Sequence, residues 1–182
     1  IRESAKILYI IYFVMTLIQI VLLLLADLPL FDTLITAMGS AGTGGFSNMN
    51  LSVGAYNNVP AEIITTVFMF LFGVNFNIYY YMLNKQFGLI KANEELKLYI
   101  FIALASMIII AINIMPMHGN SFLTSLRYSS FQVSTIMTTT GYATTDFALW
   151  PTLSKVILIT LMVIGASAGS TGCLLYTSPS PR

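Results

Sequence analysis

The chain has 182 residues, 57% of them hydrophobic and only 8% charged, with a formal net charge of +1. A soluble domain carries about 25% charged residues, so this composition excludes a chain that coats itself for water. The near-neutral charge excludes the basic footprint of a nucleic-acid binder, and one cysteine, Cys173, excludes an internal disulfide.

In chain order, residues 7–26 are the first segment without Asp, Glu, Lys or Arg, and residues 63–83, 98–115 and 156–172 are three more. A helix crossing a bilayer core needs roughly 20 apolar residues, with a range of about 17–25. The four segments are therefore predicted as the spans of an all-α integral membrane protein. Arg2 and Lys6 imitate the basic start of a signal peptide, but the run that follows is too long and no small-residue cleavage site closes it. The chain opens on Ile1 and is read as a fragment.

Between the spans lie two apolar segments that make poor spans. Residues 32–38 are too short, and residues 121–137 are loaded with Ser, Thr and Arg127. Both are predicted as short helices re-entering the membrane from one side, N-capped by Asp32 and Ser121. Their C-terminal ends aim at Gly/Thr-rich turns, residues 39–47 and 138–144, and the negative end of each helix dipole favours a cation there. Each half then continues through a polar stretch to a proline, Pro60 or Pro151, and a second span. The chain is thus two copies of one unit, helix–pore loop–helix, joined by a linker at residues 86–97.

Basic residues set the orientation. Arg2, Lys6, Lys85, Lys91 and Lys97 fall on one side of the four spans, and Arg127 and Lys155 on the other with Asp27, Asp32, Glu62 and Asp146. Lys and Arg near span ends concentrate in the cytoplasm, so both termini and the linker are predicted to be cytoplasmic and the two turns to be entered from outside.

The turns carry the chemistry. Selecting a weakly hydrated monovalent cation means replacing its water with a ring of carbonyl oxygens. Glycine lets the backbone aim those carbonyls, including at positive φ. Thr139-Thr140-Gly141-Tyr142 is close to the T-V-G-Y of potassium-channel filters, and Thr43-Gly44-Gly45-Phe46 is a looser version. Neither contains a carboxylate, which argues against a divalent-cation site.

At these residues the sequence resembles the Trk/Ktr/HKT superfamily of potassium transporters. Residues 131–151, FQVSTIMTTTGYATTDFALWP, resemble the pore loop of the family's fourth unit, and residues 39–47 that of the third. Residues 70–83, FLFGVNFNIYYYML, resemble the interrupted third inner helix, and residues 165–172, GASAGSTG, the fourth. The resemblance implies that residues 1–85 and 98–172 are the third and fourth units, half of a pseudo-fourfold, channel-like fold whose first two units are missing. It implies potassium uptake, with sodium as a second permeant ion, across the plasma (cell inner) membrane, without cofactor or enzymatic step. It also implies a homodimer and a cytoplasmic nucleotide-binding regulatory subunit of the TrkA/KtrA kind. The first turn is richer in glycine than the family pattern. Residues 173–182 lack apolar periodicity and hold two prolines, so they read as a foreign or frame-shifted end rather than the rest of a helix.

Other features have competing readings. Gly73, Asn75 and Asn77 inside a span fit helix packing with amide hydrogen bonds, or, by the resemblance, a gating loop under the filter. Residues 165–169 match the G-x-S-x-G of a serine hydrolase, which requires a strand and a histidine base; here a span precedes the motif and the one histidine, His118, is expected to be exposed at a span's outer end. The glycines at 39–45 lack the Lys-Ser/Thr ending of a phosphate loop. Arg127 is expected to pair with a carboxylate or to tune cation entry. Trp150 reads as an interfacial aromatic before the helix-starting Pro151, and Asp146 as a cation attractor or a helix start. A secondary transporter for a small solute is the alternative from another class, but such proteins keep ionisable groups at the midplane.

Overall fold

A computed structural model describes residues 2–167 and 170–172, and these form helices and connecting turns without a strand. The tail 173–182, and Ala168 and Gly169 of the G-x-S-x-G match, lie outside the described residues. Helix α1 (Arg2–Leu25) ends where Asp27 takes a left-handed φ of 62°. Asn58 ties off that end, its Nδ2 donating to the Ala26 carbonyl at 2.5 Å, while its Oδ1 accepts from Ala61 N at 3.0 Å and so N-caps α3 (Val59–Phe72). One side chain thus joins the end of one helix to the start of another.

Between them, α2 (Leu30–Ala41) begins earlier than the sequence suggests. Its N-cap is Pro29, whose ring holds φ at −54°, and Asp32 sits inside the first turn. The Asp32 carboxylate faces Asn48, which donates to it at 2.5 Å, so it is occupied elsewhere and does not cap. Ser121 does cap α7 (Phe122–Met137), accepting from Thr124 N.

The α3 helix stops at Gly73 and the chain turns by 89° into α4 (Phe76–Leu83). The short α5 (Phe87–Ala92) follows, and Asn93 N-caps α6 (Glu94–Ile114) by accepting from Leu96 N at 2.8 Å, so the last residues of the expected linker are already helical. Among the described residues Glu94–His118 is one helix long and apolar enough to cross a membrane; α3 and α4 pass the same test as a bent pair, and Tyr9–Leu25 and α8 (Thr152–Ile164) are apolar but shorter.

The last expected span is corrected in one respect. Residues 156–172 are not one helix: α8 ends at Ile164 because Gly165 adopts φ 72°, ψ −166°, a region essentially confined to glycine. Trp150 is also corrected. It is buried in the core with Ile114, Leu158 and Leu161 rather than presented to an interface.

Helix α7 packs against α3, α6 and α8, and α2 packs against α1 and α3. Both α2 and α7 therefore sit among the apolar helices, while apolar side chains cover the outside: Phe13 and Leu17 on α1, Phe101 and Leu104 on α6, Ile159 and Val163 on α8 are all exposed. An exterior of this kind is at home in lipid.

Candidate ion-conduction site

The two Gly/Thr turns have one backbone geometry. In the first, Thr43 (φ 48°) and Gly45 (φ 60°) take positive φ on either side of Gly44; in the second, Thr139 (φ 56°) and Gly141 (φ 92°) do so on either side of Thr140. This puts Thr43-Gly44-Gly45-Phe46 in register with Thr139-Thr140-Gly141-Tyr142. The amides turn back onto the preceding helix in both. Gly44 N and Gly45 N donate to the Gly39 carbonyl at 2.8 and 3.5 Å, and Thr140 N and Gly141 N to the Thr135 carbonyl at 2.9 and 3.4 Å. Thr135 also accepts from Gly141 N through its Oγ1 at 3.0 Å.

A trans peptide points its carbonyl opposite to its N–H. With the amides folded onto α2 and α7, the carbonyls of Thr43, Gly44, Thr139 and Thr140 are directed away from those helices. Among the described residues no hydrogen bond reaches the carbonyls of Thr43, Gly44, Gly45, Thr140 or Gly141. The turns also abut, since a side chain on Gly45 would collide with the Thr140 carbonyl oxygen. Two strips of oxygen donors thus lie side by side at the negative ends of two helix dipoles.

The second turn is bolted to the first half of the chain. Tyr142 is buried, and its hydroxyl donates among the carbonyls of Thr36, Phe46 and Ile35 at 3.1, 3.3 and 3.4 Å. Gly39 lies under that hydroxyl, where any side chain would overlap it. On the other side, the 3-10 helix Ser52–Tyr56 clasps the segment after the turn: Gly54 N donates to the Ala143 carbonyl at 3.1 Å and Ala143 N to Ser52 Oγ at 3.3 Å. Phe46, the counterpart of Tyr142, is 78% exposed.

Beneath the turns lie two helix breaks. Gly73 is so close to Thr138 that an added Cβ would lie 2.5 Å from its methyl group. The carbonyls freed where α3 ends are all taken: Phe70 by the Tyr99 hydroxyl at 3.1 Å, Leu71 by that of Tyr79 at 2.8 Å, and Gly73 by Ser167 N at 3.1 Å. The Phe72 carbonyl accepts from Thr171 through both N and Oγ1, at 3.4 and 3.2 Å. The Thr171 carbonyl in turn accepts from Thr43 Oγ1 at 3.0 Å. Thr171 therefore touches the first turn and the break after α3 together, and Ser167 reaches the same break. Asn75 caps α4 by accepting from Asn77 N at 3.0 Å, and Asn77 contributes only that amide, its side chain being exposed.

Sequence reasoning gave no individual role to Gly39, Thr135, Thr138 or Thr171, although Gly39 and Thr138 fall inside the expected turns and Thr171 inside residues 165–172. Gly39 and Thr135 occupy the same place ahead of Gly45 and Gly141, a spacing that was available but carried no side-chain chemistry in common.

At the upper end, the side holding both turn-bearing connections, Asp32, Asn48 and Tyr56 form a string. Tyr56 donates to Asn48 Oδ1 at 3.1 Å. Burial first, and then the nearby Asp32 carboxylate, hold the Tyr56 phenol above its usual pKa. Asp146 serves as a helix start, accepting from Ala148 N at 2.9 Å. His118 is half-buried rather than exposed, its ring stacked 4.8 Å from that of Tyr128. The hydrolase reading fails on distance. Ser167 is near Tyr99 at the start of α6, whereas His118 follows its far end, roughly 30 Å away at 1.5 Å per residue.

Comparison with known proteins agrees with this geometry. A family model described as TrkH, cation transport protein, matches residues 1–174. The chain is 30% identical over 175 residues to the Trk system potassium uptake protein TrkH of Salmonella typhimurium, covering 94% of this chain and 36% of that protein. It is 31% identical over 175 residues to the Trk system potassium uptake protein TrkG of Escherichia coli, covering 93% and 35%. The crystal structure of the potassium transporter TrkH from Vibrio parahaemolyticus superposes with a TM-score of 0.86 at 29% identity, covering 94% of this chain and 37% of that one. The chain spans about a third of the length of the curated relatives it matches. With one match running through both turns and both helix breaks, the chain belongs to the TrkH family of cation transport proteins.

Proposed function

We propose that this chain forms two walls of a potassium uptake pathway. Thr43–Phe46 and Thr139–Tyr142 are two of the four strips of a carbonyl-lined selectivity filter, and α2 and α7 are the pore helices behind them. The chain then corresponds to the third and fourth helix–pore loop–helix units of a pseudo-fourfold, channel-like fold. The reading is carried by one observation: two turns with the same positive-φ alternation lie side by side, their amides folded back, and among the described residues no hydrogen bond reaches the carbonyls of Thr43, Gly44, Gly45, Thr140 or Gly141. Carbonyl oxygens suit a monovalent cation that must shed its water without meeting fixed charge, and the relatives' potassium uptake names the ion.

The break at Gly73–Asn75 is the gating loop, and Ser167 and Thr171, which bond to it, belong to a second element of the same barrier. Potassium enters from the side bearing residues 26–58 and 115–151, and both ends of the chain and residues 86–93 face the cytoplasm of a cell inner membrane. A second copy of the protein and a cytoplasmic nucleotide-binding subunit are proposals supported by family membership alone.

The test is Gly141→Asp in the full-length transporter, expressed in a bacterium lacking its own potassium uptake. A side chain at φ 92° strains the turn and its carboxylate places fixed charge among the carbonyls. Selective rubidium or potassium uptake is expected to be lost while the protein still reaches the membrane. Normal, selective uptake by that variant would overturn the filter assignment.

A further inference from the structure

Helix α7 presents the second turn, so whatever fixes α7 fixes the turn. Beside the apolar packing of Phe131, Val133 and Met137, two polar contacts of α7 with its neighbours stand out among the described residues. Towards α6, Ser129 Oγ donates to the Met107 carbonyl at 2.9 Å, an uncharged bond. Towards α3, Arg127 faces Glu62, Nε to Oε2, at 3.3 Å. Glu62 is buried, with 7% of its side chain exposed, and stands in the first turn of α3, where the helix dipole favours a carboxylate. Arg127 lies with its guanidinium carbon 4.6 Å over the ring of its neighbour Tyr128, which stacks in turn on His118.

The surroundings make the pair exacting. Arg127 also borders an apolar cleft of about 640 Å³ between α3, α6 and α7, lined by Ile63, Val67, Phe70 and Leu104 among others. Glu62 is shut off from solvent, whereas Arg127 keeps 25% of its side chain exposed, so it is the carboxylate that has little water to fall back on. Attraction between charges is strong where the dielectric is low, and a lone partner left there is heavily penalised. The two side chains come from different halves of the chain, so the contact crosses the seam between them. Along α7, Arg127 stands about 12 Å above Thr135, the residue that anchors Thr140 and Gly141. A slip of α7 against α3 therefore moves Thr135 and, through it, Thr140 and Gly141 of the second turn.

We propose that the Glu62–Arg127 pair is a positioning device that sets the height of α7 against α3 and thereby the ion selectivity of the second turn. The proposal rests on the filter reading above. Neither side chain touches the ion; both act through the backbone of α7.

The experiment uses the full-length transporter and reads the ratio of rubidium to sodium uptake alongside the amount of protein in the membrane. Glu62→Gln and Arg127→Gln are each expected to lower the ratio by about fivefold, a typical size for coupled neighbours. The double variant Glu62→Gln/Arg127→Gln is expected to fall no further than the worse single variant, because the second change removes a partner already unpaired. A purely structural role would lower the protein amount and leave the ratio alone. Single variants with the wild-type ratio, or a double variant whose loss is the product of the two, would overturn the proposal. Should Glu62→Gln fail to accumulate, Glu62→Asp keeps the charge and withdraws it by one methylene; a lowered ratio supports positioning and an unchanged one overturns it. Gly141→Asp separates the two claims. Loss of selectivity there with an unchanged ratio in Glu62→Gln sinks the positioning role alone, whereas a normal Gly141→Asp sinks the filter reading and this one with it.

Discussion

At Gly45 the backbone leaves no room for a side chain. Its φ of 60° is strained for any other residue, at a cost of about 1–3 kcal/mol, and the Thr140 carbonyl oxygen occupies the space a Cβ would need. Gly44, its neighbour, has neither constraint. A Cβ there would meet only the ring of Phe46, at 3.1 Å, and a ring can swing aside. Gly45→Ala is therefore expected to cut rubidium uptake by about tenfold or more, while Gly44→Ala stays near wild type. Uptake assays on both variants at matched membrane amounts check this; equal effects would mean the abutment of the two turns does not matter to transport. The contrast was not legible in the run Gly42-Thr43-Gly44-Gly45, where the glycines look interchangeable. Only the fold of the second turn against the first tells them apart. Asp32 teaches the same lesson in reverse: its residue type suits an N-cap, but Pro29 starts the helix and Asn48 claims the carboxylate.

At the scale of elements, the breaks in α3 and α8 are one construction. The end of a helix leaves carbonyls without partners, and here Thr171, Ser167, Tyr79 and Tyr99 supply donors to those of α3. Thr171 has a double role, because it donates to Phe72 and accepts from Thr43 of the first turn. Thr171→Val keeps the shape and removes the hydroxyl donor, a bond worth about 1 kcal/mol. Ion flux through the full-length protein is expected to rise by about fivefold as the barrier loosens, with Thr171→Ser close to wild type. An unchanged or lowered flux in liposomes or cells would show that this bond does not hold a gate. The break at Gly73 was readable from a glycine and asparagines set in an apolar run. The break at Gly165 was not, because small residues at helical spacing look equally suited to close helix packing. The decisive fact is a partner far away in the chain, the carbonyls of Phe72 and Gly73.

For the whole molecule, the asymmetry between Tyr142 and Phe46 is the most informative feature. The two follow equivalent glycines, yet Tyr142 is 1% exposed under α2 while Phe46 is 78% exposed. On the proposed four-strip reading, the ring of Phe46 is expected to pack against a preceding pore helix as Tyr142 packs against α2. In the full-length transporter, Phe46→Cys is expected to resist a membrane-impermeant thiol reagent, whereas the same change at Leu149, exposed at the upper end, is expected to react. Equal labelling of both would count against a closed ring of four units.

Composition and hydropathy were enough to determine that this chain belongs in a membrane, because few charges and long apolar runs leave no other solvent for it. Repetition and the Thr-Gly-aromatic pattern were enough to mark the two turns, since glycine and proline reveal backbone needs directly. The tertiary structure alone decided which atoms meet: Gly45 against Thr140, Tyr142 beneath α2, Thr171 between the first turn and the break after α3, Glu62 beside Arg127. Such contacts join residues distant in the chain, and local propensity carries no information about them. They depend on how helices of similar composition pack, and in an apolar chain the hydrophobic pattern that usually singles out a buried face is nearly silent.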